Sequence, residues 1–128
     1  MRILGIDYGT KRIGLALSDE LHMLARELGI LAPADFWKTL PDLIRENEVS
    51  EIVVGLPLGM SAQRTQKTEE TEIFAERIRA ATALPVILMD ERLSSQMAGH
   101  LPGAGARVDS LAAQIILQNH LNKTSSTL

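Results

Sequence analysis

Four acidic residues stand where a chain could use them for chemistry. Asp7 closes an apolar run, RILGID. Asp90 and Glu91 close another, LPVILMDE, and Asp109 opens a segment of helical period, VDSLAAQIILQ. Each has an ordinary alternative: Asp7 could shape a turn with Gly9, Asp109 could cap a helix, and Asp90 or Glu91 could pair with Arg92. What sets them apart is a shared station, because open α/β sheets bind ligands beyond the carboxyl ends of their parallel strands. Carboxylates gathered there repel one another unless a cation neutralises them. A hard divalent ion does so: Mg²⁺ takes oxygen ligands at about 2.0–2.1 Å and keeps several waters, and Mn²⁺ accepts the same donors. Two such ions roughly 3.5–4 Å apart activate an attacking water and stabilise the leaving oxygen of a phosphodiester. Phosphodiester hydrolysis by this route needs no cysteine, serine triad or histidine. Alternation alone does not say which of Asp90 and Glu91 turns toward the edge.

The elements that must position these acids follow from hydrophobic period. Residues 2–7 read as a buried strand and residues 12–18 as a second, joined through the YGTK turn into a hairpin; a third strand is expected within 23–32. Phe36, Leu40, Leu43 and Ile44 recur at helical spacing, and Pro41 sets the expected start: with Thr39 as N-cap, Pro41 falls in the permissive first turn and Asp42 takes the place of a capping-box acid. Residues 51–56 form a β-branched strand ending in the GLPLG loop. A helix from about Gln66 to Ala81 carries the stripe Ile73, Phe74 and Ile78, and residues 84–89 make the last strand. Ser94 or Ser95 can cap a short helix that Pro102, Gly103 and Gly105 end, and a final helix is expected over about 109–121. Three successive strands followed by alternating helices and strands imply an α/β domain: a central mixed five-stranded sheet with an antiparallel wing and helices on both faces. The domain is expected over 1–122, with 123–128 a frayed polar tail.

Composition narrows the classes. At 128 residues the chain is of one-domain size, too small for two lobes around a cleft. It has no cysteine, so disulfides and thiolate metal sites are excluded, and His22, His100 and His120 have no ligand-like spacing. Arg2, Asp7, Lys11 and Arg12 crowd the first dozen residues, leaving no room for a signal-peptide core, and no apolar run is long enough to span a bilayer. A cytoplasmic protein without membrane contact is expected. The net charge of −3 is unusual for a nucleic-acid binder, so binding must rest on local charge, and basic residues do gather near the acids: Lys11 and Arg12, Arg64 and Lys67, Arg92, and Arg107. With a Debye length of roughly 8 Å, such a rim acts despite an acidic remainder. Tyr8, beside Asp7, is a candidate contact to a base or sugar.

GIDYGTKRIGLALSD (5–19), VVGLPL (53–58), LPVILMDERLSS (84–95) and VDSLAAQIILQ (108–118) together closely resemble the YqgF family, also called RuvX, in order and spacing over nearly the whole chain. The resemblance implies a ribonuclease H-like fold and a nuclease, with Holliday-junction resolution and maturation of the small-subunit ribosomal RNA precursor attributed to the family. By position it assigns the metal-holding, catalytic acids as Asp7, Glu91 and Asp109. Gly9, Thr10 and Lys11 match a turn near substrate phosphate, and Gly55 and Pro57 a second loop; Arg12, Arg64 and Arg92, from the basic rim, are the further expected substrate contacts. The implied cofactor is Mg²⁺ or Mn²⁺ at a two-metal site, and the implied partner is RNA, DNA or both; a homodimer is expected if two strands of a junction are cut in concert.

Two stretches depart from the family pattern. Gly59-Met60-Ser61-Ala62-Gln63-Arg64 stands where members carry an Asn and a Gly-rich acidic run, and PGAGAR stands where members have a longer helix and a Lys/Arg cluster. Two rivals remain in view. GIDYGT also resembles the first phosphate loop of actin-like and sugar-kinase folds, but those need two lobes and a second Gly-rich loop. A catalytically silent RNA-binding or scaffold module could share the fold, since fold does not imply function.

Overall fold

The first apolar run forms strand β1 (Arg2–Asp7), buried from Ile3 to its end. Such continuous burial means that both faces of the strand are covered. The computed structural model describes residues 1–58, 63–90 and 108–125, the side chains of Val108, Asp109 and Ser125 excepted. Within them follow β2 (Ile13–Ser18), β3 (Ala25–Leu31), helix α1 (Pro33–Glu46), β4 (Val49–Leu56), α2 (Gln66–Thr82), β5 (Val86–Asp90) and α3 (Val108–Ser125). The sheet order is β3-β2-β1-β4-β5. β2 pairs antiparallel with both β1 and β3, and β4 parallel with both β1 and β5. This is the mixed five-stranded sheet that the pattern predicts.

Alternation sorts the strands into two cores. Leu4 and Ile6 of β1, with Ile52 and Val54 of β4, pack against Phe36 and Leu40 of α1 and Phe74 and Ile78 of α2. Ile3, Ala16 and Val53 face the other way, against Ala113, Ile116, Leu117 and Leu121 of α3. The chain's four aromatic residues all join the first core. Tyr8 stacks on Phe74 with centroids 4.3 Å apart, which places its half-buried ring on the α2 side.

Helix α1 starts earlier than Pro41 suggests. Pro33 occupies its first turn, Ala32 is the N-cap without a side-chain cap bond, and Pro41 lies inside the helix. Pro41 forfeits one backbone hydrogen bond, a cost of about 3 kcal/mol in a helix interior. Its ring is exposed, while Phe36 and Leu40 are 0% and 1% exposed. Burying two large side chains, worth roughly 1.5–3 kcal/mol each, outweighs the proline. Thr39 and Asp42 are therefore mid-helix, and Asp42 pairs with Arg45 at 2.7 Å.

Helix α2 begins where expected, with a capping box in which Thr65 and Thr68 exchange side-chain and backbone bonds. Helix α3 runs past its expected end, to Ser125. The expected short helix after Ser94, together with residues 126–128, lies outside the described residues.

Helix α3 approaches β1 through Gly5. A Cβ at Gly5 would stand 2.8 Å from Leu117 Cβ and 3.2 Å from the Ala113 carbonyl oxygen, closer than packed atoms tolerate. Gly5→Ala should lower the unfolding free energy by about 1–3 kcal/mol, the usual cost of overpacking. Urea denaturation checks this, and an unchanged midpoint would contradict the packing.

Candidate active site

Polar bonds fix how α3 lies on the sheet. Ser110 Oγ donates to the Glu27 carboxylate at 3.2 Å, Gln114 Nε2 donates to the Ala25 carbonyl at 3.1 Å, and Gln118 accepts from the Ala25 amide at 2.8 Å. Gln118 Nε2 also donates to the Met23 carbonyl at 3.0 Å. Residues spaced by four along α3 thus descend β3 toward its start, so the helix runs against β3. It also runs against β1, which is parallel to β3 through two antiparallel pairings. At the far end His120 lies 3.4 Å from Glu51, near the start of β4. The first turn of α3 therefore lies toward the carboxyl end of β1, with Ser110 reaching β3.

This register relates two of the expected acids. Asp7 lies two residues beyond Gly5 on the same face of β1, an advance of about 6.7 Å. Asp109 lies one turn before Ala113 on the stripe that meets Gly5, an advance of about 5.4 Å toward the same edge. Backbone geometry thus brings the two positions to one edge and one face. The Asp109 side chain and all of Glu91 lie outside the described residues. Asp90 is described and exposed; it shares the alternation of Val86 and Leu88, which pack on the α1–α2 side, whereas Ile87 and Met89 pack with α3. Asp90 therefore belongs to the face opposite Asp7. Among the described residues no group of three His, Asp or Glu gathers that could hold a metal.

Asp7 is 8% exposed, a buried carboxylate at a strand end. Its partner across β2 is Gly14, and one residue beyond the Ile6–Val54 pair its neighbour across β4 is Gly55, which pairs in turn with Met89. No side chain flanks the carboxylate on either side in its row. A buried carboxylate at a strand end, in a row whose neighbours carry no side chains, is the kind of oxygen donor that suits a hard divalent cation.

The other expected contacts divide. Gly9, Thr10, Lys11 and Arg12 line one open groove of about 470 Å³, whose opposite wall is Gln66, Lys67 and Glu70 of α2. Gly9 is required for this turn, because a Cβ there would stand 2.4 Å from the Arg12 carbonyl oxygen. The Pro57 carbonyl accepts from Thr68 Oγ1, tying the loop after β4 to the start of α2. Arg64 is gripped by Glu72 through both terminal guanidinium nitrogens, and this pairing holds the Glu72 carboxyl below its ordinary range. Arg92 lies outside the described residues. Lys67 on the α2 wall belongs to the basic rim expected from the sequence, whereas Gln66, Glu70 and the Ser110-Gln114-Gln118 ladder give no such signal, because a polar i, i+4, i+8 series looks like any solvated helix face.

Residues 1–123 match the family model RuvX, described as Holliday junction resolvase. Proteins named "Putative pre-16S rRNA nuclease" are similar over nearly their whole length. One from Dictyoglomus turgidum is 40% identical over 136 residues, covering 98% of this chain and 96% of that one. Another from Opitutus terrae is 42% identical over 135 residues, covering 96% and 92%. Among solved structures, T. thermophilus RuvC in complex with Holliday junction substrate superposes with a TM-score of 0.59 at 16% identity, covering 99% of this chain and 97% of that one. Fowlpox virus resolvase with Holliday junction DNA gives 0.50 at 14% identity, covering 100% and 99%. At these identities the likeness is one of fold, the ribonuclease H-like fold expected from the sequence.

Gln118→Ala removes two bonds from α3 to the sheet edge, each worth about 1 kcal/mol net. It should lower unfolding stability by roughly 1–2 kcal/mol in urea denaturation and speed amide hydrogen exchange at Ala25. Unchanged exchange at Ala25 would show that the ladder does not hold β3.

Proposed function

The chain belongs to the RuvX family, and on that premise we propose that it is a divalent-metal-dependent nuclease acting at the carboxyl edge of its sheet. Its substrates are RNA or DNA phosphodiesters, with precursors of the small-subunit ribosomal RNA and four-way junctions the first candidates, and its place of action is the cytoplasm. The observation that carries this reading is the buried Asp7, set between glycine neighbours on the face that the first turn of α3 overlies. No helix among the described residues is long and apolar enough to cross a membrane.

In this reading Asp7, Glu91 and Asp109 hold the ions. Glu91 is preferred to Asp90 because Asp90 belongs to the opposite face of β5. Bound there, Mg²⁺ or Mn²⁺ supplies an activated water and neutralises charge on the leaving oxygen. Asp7, fixed by strand pairing on both sides, presents its carboxylate with little freedom to reorient, which limits the entropy lost in ordering the site. Gly14 and Gly55 put no side chain beside Asp7 in its row. Thr10, Lys11 and Arg12 bind the substrate backbone beside the scissile bond. Charge-assisted contacts of this kind position the strand without reading its bases.

The test is cleavage of a labelled panel of precursor ribosomal RNA, single strands, duplexes and four-way junctions with Mg²⁺ or Mn²⁺. Outer-shell partners of metal sites cost about 10–100-fold when mutated, so loss of a direct ligand should cost more than about 100-fold. Asp7→Asn, Glu91→Gln and Asp109→Asn should each fall that far while keeping wild-type thermal stability in the absence of metal, and Asp90→Asn should cleave normally. Inactivity of the wild-type protein across the panel, or normal cleavage by Asp7→Asn, would defeat the proposal.

A further inference from the structure

The groove between the β1–β2 turn and the start of α2 lies on the far side of β1's exit from Asp7. Asp7 turns toward α3, but the next residue, Tyr8, stacks on Phe74 of α2. With Gln66, Lys67 and Glu70 of α2 in its wall, the groove lies on the face of the sheet opposite the Asp7 side chain. Gly9 follows Asp7 by two residues, so the near wall of the groove lies within about 7 Å of the Asp7 backbone.

Three cations from two elements line this groove, Lys11 and Arg12 from the turn and Lys67 from α2, against one carboxylate, Glu70. Glu70 accepts from Gln66 Nε2 at 3.1 Å, which engages one of its oxygens within α2. Lys67 differs from the other basic residues in and beside its helix. Arg64 is paired with Glu72, Arg79 with Glu76, and Arg77 lies 4.0 Å over the ring of Trp37. Among the described residues Lys67 has no such partner, and its exposed ammonium shares the groove with Lys11 and Arg12. Like charges facing one solvent-filled space attract an anion of matching size.

From this we infer that the groove is a second phosphate subsite, distinct from the acidic edge, and that Lys67 binds a backbone phosphate flanking the scissile one. The inference rests on the nuclease reading and adds a path to it. The substrate strand crosses the β1–β2 turn from the α3 side of the sheet to the α2 side, with the reacting phosphate at Asp7 and a neighbouring one among Lys11, Arg12 and Lys67. The ligand class is a nucleic-acid phosphodiester, and among the described residues no aromatic side chain lines the groove for a base to stack on.

The experiment measures binding of a fluorescein-labelled single-stranded RNA to the Asp7→Asn protein by anisotropy over a range of salt concentrations. One phosphate contact contributes about 0.7 to the slope of log K against log salt for a single strand. Lys67→Ala, added to Asp7→Asn, should reduce the slope by about that amount and weaken binding several-fold at low salt, and Lys67→Arg should restore both. Lys123→Ala, in the last turn of α3 at the opposite edge, should leave the slope unchanged. In the otherwise wild-type enzyme, Lys67→Ala should raise KM and spare kcat. A slope unaltered by Lys67→Ala overturns the subsite while leaving the nuclease reading intact. Absence of RNA and DNA binding by wild-type and Asp7→Asn proteins alike overturns both.

Discussion

Helix α3 packs directly onto the β1 backbone at Gly5, and the candidate site depends on that contact. There is no space at that position for even a methyl group, so Ala113 and Leu117 rest directly on the β1 backbone. Asp7 lies two residues further along the strand, and Asp109 one turn back along the helix. A contact that sets the height of the helix above the strand therefore also sets the distance between the two acid positions. The polar ladder on β3 adds what an apolar contact cannot, an axial register. Sliding α3 by one turn would break the bonds of Ser110, Gln114 and Gln118 together.

Much of this was legible in the sequence because the relevant patterns are local. RILGID and EIVVGL are unbroken apolar or β-branched runs, and the spacing of the remaining elements fixes a mixed sheet. Helix α1 was misplaced for a physical reason. Proline chemistry is a local penalty of known size, whereas the burial of Phe36 and Leu40 that outweighs it is a tertiary effect. The choice between Asp90 and Glu91 could not be made from the strand alone. The partition of β5 between the two cores places Asp90 on the face opposite Asp7, which only packing reveals. Tyr8 taught a similar lesson: adjacency to Asp7 in sequence places it on the opposite face in space.

The charge distribution also becomes intelligible. An acidic chain with a net charge of −3 is a poor general polyanion binder. Several arginines are occupied within the protein, by Glu72, Glu76, Asp42 or the ring of Trp37, and do not enlarge a diffuse basic surface. In the proposed reading, the cations bordering the groove instead supply short-range attraction where a strand would pass. Binding of this kind favours contact at the site over adhesion along the whole molecule, and it falls steeply with salt.

The central claim is that Asp7, Glu91 and Asp109 share cations at one edge of the sheet. Anomalous diffraction from crystals soaked in Mn²⁺ tests it most directly. The account predicts anomalous density at about 2.1 Å from a carboxylate oxygen of Asp7, bridged to Glu91 and Asp109, with Asp90 uninvolved. Crystals saturated with Mn²⁺ that show no density beside Asp7, or that place Glu91 and Asp109 away from it, would contradict the account.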